Sequence, residues 1–204
     1  MSDSPLPETA TDAVEALLDE VTTESQPQPV LQVDNLSGKV ATVSGGSSGI
    51  GRAVALELAR CGAHIAFCYL DDGGQSRSEA EEVASELRQM EVQVFFRSCD
   101  VRESSDVNSF VSETEEELGG VDVLVNNAGI GRDAPMWLMT DHDWEAVLRT
   151  NLDGAFHFTR AVAPTMRAQE YGKIVNITSV HGMRTEFGIS NYSTSKAGLI
   201  GLTR

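Results

Sequence analysis

Long apolar runs are missing from this 204-residue chain. No stretch approaches the roughly 18 consecutive apolar residues that a membrane-spanning helix needs. The first residues also lack a basic region followed by an apolar stretch, so no secretory signal is expected. Cysteine is scarce: Cys61, Cys68 and Cys99 are odd in number and without metal-ligand spacing. Reduced thiols in a cytoplasmic protein are expected rather than a disulfide scaffold. Positive charge is also in short supply, with 15 Lys+Arg against 31 Asp+Glu and a formal net charge of −16. Such a surface repels nucleic acid and anionic membranes, which are themselves negative. The lysines number only three: Lys39, Lys173 and Lys196.

What is present is unevenly distributed. Residues 1–38 hold eight of the acids and no Lys or Arg. Pro5, Pro7, Pro27 and Pro29 bracket this polar segment. Residues 1–35 are therefore expected to be an acidic, disordered extension that cannot bury a core. Val14, Leu17, Leu18 and Val21 fall on one helical stripe inside it, but a short isolated helix is marginal in water.

From Lys39 onward, strand-like apolar runs alternate with amphipathic patterns. Strands are expected at 39–44, 64–70, 92–98, 121–126 and 173–179. Helices are expected at 50–60, 76–90, 104–118, 141–150 and 152–169, and another opens at Tyr192. This alternation calls for an α/β fold, a Rossmann-like doubly wound parallel sheet with helices on both faces, over residues 36–204. Beyond the βα alternation the chain has no internal repeat.

The turn after the first strand reads Ser44-Gly45-Gly46-Ser47-Ser48-Gly49-Ile50-Gly51. Glycines here permit a tight turn and let a phosphate approach the backbone. The helix that follows then offers its free N–H groups and positive dipole end. A glycine cluster alone is weak, but this one has a strand before it and a helix after it, as the mechanism requires. Further on, Tyr192 and Lys196 form a Y-x-x-x-K, which places both on one helix face. A free phenol has a pKa of about 10, and a neighbouring ammonium favours the phenolate. The tyrosine then becomes a usable proton donor and acceptor near neutral pH. Ser179 lies at the end of the fifth strand, where ligands of parallel sheets sit. Its hydroxyl could hold a carbonyl or alcohol oxygen; its plain structural role would be a strand-end cap.

The spacing G-x-x-x-G-x-G, joined to Asn126-Asn127-Ala128-Gly129 and to Ser179, Tyr192 and Lys196, resembles the classical short-chain dehydrogenase/reductase family. Ser44 stands where Thr is usual. The resemblance implies a hydride transfer between NAD(P)(H) and a carbonyl or alcohol substrate. It implies Asn151, Ser179, Tyr192 and Lys196 as the catalytic residues, with Asn151 supporting a proton relay to the lysine. A plain helix N-cap is the structural alternative for that asparagine. The cofactor would be held by Gly45, Ser47, Ser48, Gly49, Ile50, Gly51, Asp100, Val101, Asn127, Ala128, Gly129, Tyr192 and Lys196, with Asp100 at the adenine ring. Tyr69 occupies the family's usual acid position after the second strand, which tilts the expectation to NADP; Asp71 and Asp72 oppose that tilt. No metal is expected.

Other residues carry weaker expectations. His181 is expected to be a loop histidine near the substrate entrance rather than a base, and His64, His142 and His157 lack metal spacing. Trp137 and Trp144 are expected to pack around the helix at Asp141, and Met136, Trp137, Met139 and Met183 to edge an apolar pocket or the core. Glu113, Glu115, Glu116 and Glu117 are expected to form a solvated helix face.

The resemblance spans about Leu36 to Arg204 and stops eight residues past Lys196. Classical members continue into further strands, a mobile substrate loop and a P-G stretch over the nicotinamide, so a fragment or a truncated chain is expected. Full-length relatives form homo-oligomers through the two long helices, and the second of these is only begun here. A truncated, noncatalytic dinucleotide-binding or interaction protein is the competing expectation. The partner of the first reading is a small carbonyl or alcohol substrate.

Overall fold

The computed structural model describes residues 36–71 and 73–204. The expected acidic extension and its helical stripe lie outside the described residues. Within the described residues the order is β1 (Val40–Ser44), α1 (Gly49–Arg60), β2 (His64–Tyr69), α2 (Gln75–Arg88), β3 (Val94–Ser98), α3 (Ser104–Leu118), β4 (Val123–Asn126), α4 (Asp141–Leu148), a π-helical turn (Arg149–Asp153), α5 (Gly154–Ala168), β5 (Lys173–Asn176), a 3₁₀ turn (Val180–Gly182) and α6 (Ser190–Thr203).

All five strands are parallel, in the order β3-β2-β1-β4-β5. Parallel neighbours need a crossover, and the helices supply it, covering both faces. This is why β1 and β2 read as nearly continuous apolar runs: Val40, Ala41 and Val43, then Ile65, Ala66, Phe67 and Cys68, are buried. Alternate residues feed two cores. On one face Val43, Ile65 and Phe67 pack with Val83 and Leu87 of α2; on the other Ala66, Cys68 and Leu124 pack with Phe110 of α3 and Phe158 of α5. Phe110 sits centrally, 5.6 Å from the Phe95 ring and edge-on at 5.9 Å to Phe158.

The observed elements correct several sequence expectations. The strands are shorter than their apolar runs. β4 begins at Val123 because the Asp122 side chain accepts hydrogen bonds from the Val40 N–H and Lys39 Nζ, both at 2.9 Å, where β1 starts. β5 ends at Asn176, not Ser179, because the Ile177 carbonyl and the Thr178 hydroxyl are taken by Lys196 of α6 and Ser179 caps the 3₁₀ turn. The two expected helices at 141–150 and 152–169 are one continuous rod, broken in register by the π turn. Glu113 and Glu115 are not merely solvated: Glu113 pairs with Arg97 at 3.2 Å, and Glu115 accepts the Thr165 hydroxyl at 2.5 Å. β5 itself is the least covered strand, with Val175 46% exposed.

Phe110→Ala should lower unfolding free energy by about 3–5 kcal/mol, the usual cost of emptying a large aromatic site. Urea denaturation followed by circular dichroism checks it; a loss below about 1 kcal/mol would show that this ring does not carry the core between the sheet, α3 and α5.

Candidate active site

The sheet order reverses between β1 and β4, so the loops that leave these strands diverge and a crevice opens between them. Its floor is laced by one hydroxyl. Ser44 Oγ accepts the N–H groups of Asn127 at 3.0 Å and Ala128 at 3.1 Å. The Asn127 amide returns two bonds, donating to the carbonyls of Ser44 and Gly45, both at 3.0 Å. The glycine turn is thus fastened to the Asn127-Ala128-Gly129 segment. Gly51 is required by that closeness: a Cβ there would lie 2.1 Å from the Gly45 carbonyl oxygen. Gly45 and Gly49 hold left-handed backbone, φ +68° and +54°, which turns the chain into α1. Ser48 precedes α1 in extended conformation, and its side chain makes no capping bond. The first N–H groups of that helix therefore remain available to an anion.

At the other end of the crevice stand Tyr192 and Lys196 on α6. Lys196 is buried, and its Nζ donates to the Ile177 carbonyl at 2.7 Å. The ammonium lies 5.6 Å from the centre of the Tyr192 ring. Burial pulls the Lys196 pKa below the ordinary lysine value. Thr178 ties the same segment down, donating its hydroxyl to the Lys196 carbonyl at 2.8 Å. A cleft of about 490 Å³ runs between the two ends, lined among others by Gly45, Ser47, Ile50, Asn127, Tyr192 and Lys196. A second cleft of about 330 Å³ shares Gly45, Ala128 and Gly129 with it and continues past Asp100 and Val101.

Asn151 is buried behind this cleft, in the π turn rather than at a helix N-cap, which corrects the structural alternative raised for it. Its side chain exchanges two hydrogen bonds with the Ile130 backbone, accepting the N–H at 2.8 Å and donating to the carbonyl at 3.0 Å. It also donates to the Ser195 hydroxyl at 3.0 Å, which in turn donates to the Tyr192 carbonyl at 2.7 Å. Its Oδ1 lies so close to Gly129 that an added Cβ there would stand 3.2 Å from it and 3.6 Å from Lys196 Nζ. The extra residue of a π turn is what aims an inward side chain where α-helical register would not.

Ser179 behaves differently from its neighbours. Its Oγ accepts the His181 N–H at 3.2 Å and caps the 3₁₀ turn, the strand-end role open to it from sequence, and it does not line the larger cleft. His181 stands beside the tyrosine, ring centres 6.4 Å apart. Asp100 lines the second cleft, yet its carboxylate is taken by Arg102, whose Nε lies 2.9 and 3.0 Å from its two oxygens. That pairing lowers the Asp100 pKa. Gly49 shapes the turn without lining either cleft. Trp137 does not pack on α4 as expected: it is 75% exposed and meets Phe187 at 6.0 Å. Among the described residues no group of three or more His, Cys, Asp or Glu side chains is placed to hold a metal ion, and no helix is long and apolar enough to cross a membrane.

Sequence reasoning missed Asn191, Ser195, Ile177 and Thr178. Asn191 is buried and donates to the Arg132 carbonyl at 2.8 Å, binding the loop after β4 to the start of α6. Its place beside Tyr192 was the available signal; Ile177 acts through its backbone and gave none.

The profile of the family described as short chain dehydrogenase matches residues 39–204. Among curated proteins, the chain is 40% identical over 166 residues to a 3-oxoacyl-(acyl-carrier-protein) reductase of Staphylococcus epidermidis, covering 81% of this chain and 66% of that one. It is 40% identical over 169 residues to the reductase of the same name from Synechocystis, covering 83% and 67%. Among solved structures, one described as a short-chain alcohol dehydrogenase from Sinorhizobium meliloti superposes with a TM-score of 0.79 at 32% identity, covering 84% of this chain and 66% of that one. An NAD+-bound xylitol dehydrogenase gives 0.78 at 35% identity, covering 83% and 64%. The chain thus spans about two thirds of the length of the relatives it matches. With the parallel sheet, the laced glycine turn and the Tyr192–Lys196 pair in place, the chain belongs to the short-chain dehydrogenase family.

Proposed function

We propose that this chain carries the cofactor and proton-transfer machinery of an oxidoreductase that interconverts a carbonyl and an alcohol using a nicotinamide dinucleotide. The observation that supports this most is the common cleft of the glycine turn with Tyr192 and Lys196. The residues fit such a group: unspent N–H groups at the start of α1 suit a pyrophosphate, and the second cleft suits the flat adenine. Gly45, Ser47, Ser48, Ile50, Asn127, Ala128 and Gly129 would hold it along the larger cleft, with Gly49 and Gly51 shaping the turn and Asp100 and Val101 at the adenine end. Bound there, the dinucleotide supplies or accepts the hydride.

The protein's own part is the proton. The Tyr192 hydroxyl donates it to the substrate oxygen in reduction and takes it back in oxidation. Lys196 sets a positive charge beside the Tyr192 ring and would hold the ribose. Asn151 fixes the π turn and the Ile130 segment against which the lysine rests, close enough to feed a proton relay. The Ser179 hydroxyl would steady the substrate oxygen in exchange for the His181 N–H it now accepts. The relatives named above, reductases of a 3-oxoacyl group and a dehydrogenase of xylitol, point to a secondary alcohol or ketone carbon as the reacting centre.

NADP is favoured over NAD. Tyr69 is buried at the end of β2, where an acid would otherwise bind the ribose hydroxyls. The nearby Asp71 carboxylate accepts the Gly73 N–H at 3.1 Å. The three cysteines are free thiols, which fits a cytoplasmic setting. Pairing of chains through α5 and α6, as in oligomeric relatives, belongs to the same proposal; Phe156 on α5 is 44% exposed.

A noncatalytic dinucleotide-binding role is the second reading, favoured by the exposed β5 face at Ile174 and Val175. Fluorescence titration with NADPH and NADH, followed by a carbonyl panel, separates the two. Binding with NADPH at least as tight is expected; absence of binding by either overturns both readings. Tyr192→Phe should abolish turnover, by about 100-fold or more, with cofactor affinity nearly unchanged. Equal turnover in the variant would remove the phenol from the chemistry. Ser44→Ala should strip two N–H groups of their acceptor at a cost of about 1–3 kcal/mol, and weaken dinucleotide binding in the same titration. An unchanged melting curve together with unchanged affinity would show that the lacing is dispensable.

A further inference from the structure

The first two turns of α6 read Ser190-Asn191-Tyr192-Ser193-Thr194-Ser195-Lys196 and hold no aliphatic residue. Hydrophobic burial therefore cannot decide which side of this segment turns inward. Yet Asn191 and Ser195 are fully buried and Lys196 is nearly so, while Leu199 is the one buried apolar residue of the helix. Directional contacts must set the rotation instead.

Asn191 and Ser195 stand four apart, as Tyr192 and Lys196 do, and each is one residue earlier. One residue is a step of about 100° around a helix. α6 thus turns one pair to the cleft and the other to the rod made by α4 and the π turn. The Asn191 amide donates to the Arg132 carbonyl at 2.8 Å and to the Asp143 carbonyl of α4 at 3.3 Å. One turn later the Ser195 hydroxyl accepts the Asn151 amide at 3.0 Å and donates to the Tyr192 carbonyl at 2.7 Å. A serine bonding back to its own helix is common. The bond to Asn151, 44 positions away, is what ties the helix to the π turn.

We propose that Ser195 is a positioning residue of the proton-transfer site: its hydroxyl, held by Asn151, sets the rotation of α6 and thereby the direction of Tyr192 and Lys196.

A hydrogen bond weakens steeply once its angle falls below about 120°, so this one resists rolling of the helix. Rolling would carry Tyr192 and Lys196 across the cleft, since both side chains reach out from the axis. Without the hydroxyl, a buried Asn151 N–H has no acceptor and is drawn to another partner. The setting of the helix stands on its own geometry; its consequence for proton transfer rests on the oxidoreductase reading above.

The first test needs no turnover. The chain has three lysines, so lysine labelled with carbon-13 gives three Cε signals, and Lys39→Arg and Lys173→Arg identify that of Lys196. In the cofactor-free protein burial keeps the Lys196 midpoint below the ordinary lysine value. Ser195→Ala should raise it toward that value, because a rolled helix admits water to the ammonium. Ser195→Cys, which keeps the bulk but is a poor acceptor, should act in the same direction and serves where the alanine variant does not fold. Thr203→Val, which removes a bond from the far end of the same helix, should leave Lys196 where it is. An unmoved Lys196 signal in a folded Ser195 variant, an equal movement in Thr203→Val, or loss of the fold in both Ser195 variants would each overturn the proposal.

The second test is kinetic. Where the parent chain reduces a member of the carbonyl panel, Ser195→Ala should lower kcat by about 10-fold or more, with a much smaller change in KM for the dinucleotide. A variant with the parent's kcat would overturn the role in proton transfer. Absence of turnover by the parent counts against the oxidoreductase reading instead, and leaves the Lys196 signal to decide the positioning.

Discussion

The fastening of β1 to β4 through Ser44 and Asn127 is the constraint on which the rest depends. Parallel strands that diverge at a switch point leave backbone groups unpaired, and buried amides without partners are costly. Here one hydroxyl accepts two N–H groups and one amide satisfies two carbonyls. The glycine turn can then approach the Asn127 segment closely enough that Gly51 admits no side chain. Both clefts take their shape from that contact, because Gly45, Ala128 and Gly129 border each of them.

The far side of the site is held by a different device. α6 arrives at the sheet with a buried ammonium that donates to the Ile177 carbonyl, and the Thr178 hydroxyl donates to the Lys196 carbonyl, at the point where β5 has ended. The π turn contributes from behind, since only its extra residue points Asn151 at Ile130 and Ser195. The π turn and the segment after β5 thus hold α6, which carries Tyr192, at the crevice.

Family membership and chemistry rest on different supports. The family follows from the match across residues 39–204 and from the relatives. The redox reading rests on side chains in one cleft, because a fold of this kind hosts many activities.

By itself the sequence determined the alternation of strands and helices, the parallel sheet, the glycine turn and the Tyr192–Lys196 pairing on one helix face. These are local: periodicity, turn chemistry and a four-residue spacing are written in neighbouring residues. Tertiary structure decided where strands stop, because ends are set by partners such as Asp122 for β4, not by apolar runs. It decided that 141–150 and 152–169 join through a π turn, that Ser179 caps a turn, and that Asp100 is held by Arg102. It also set Cys68 opposite Arg97, because register between strands is a property of the sheet and of no segment within it.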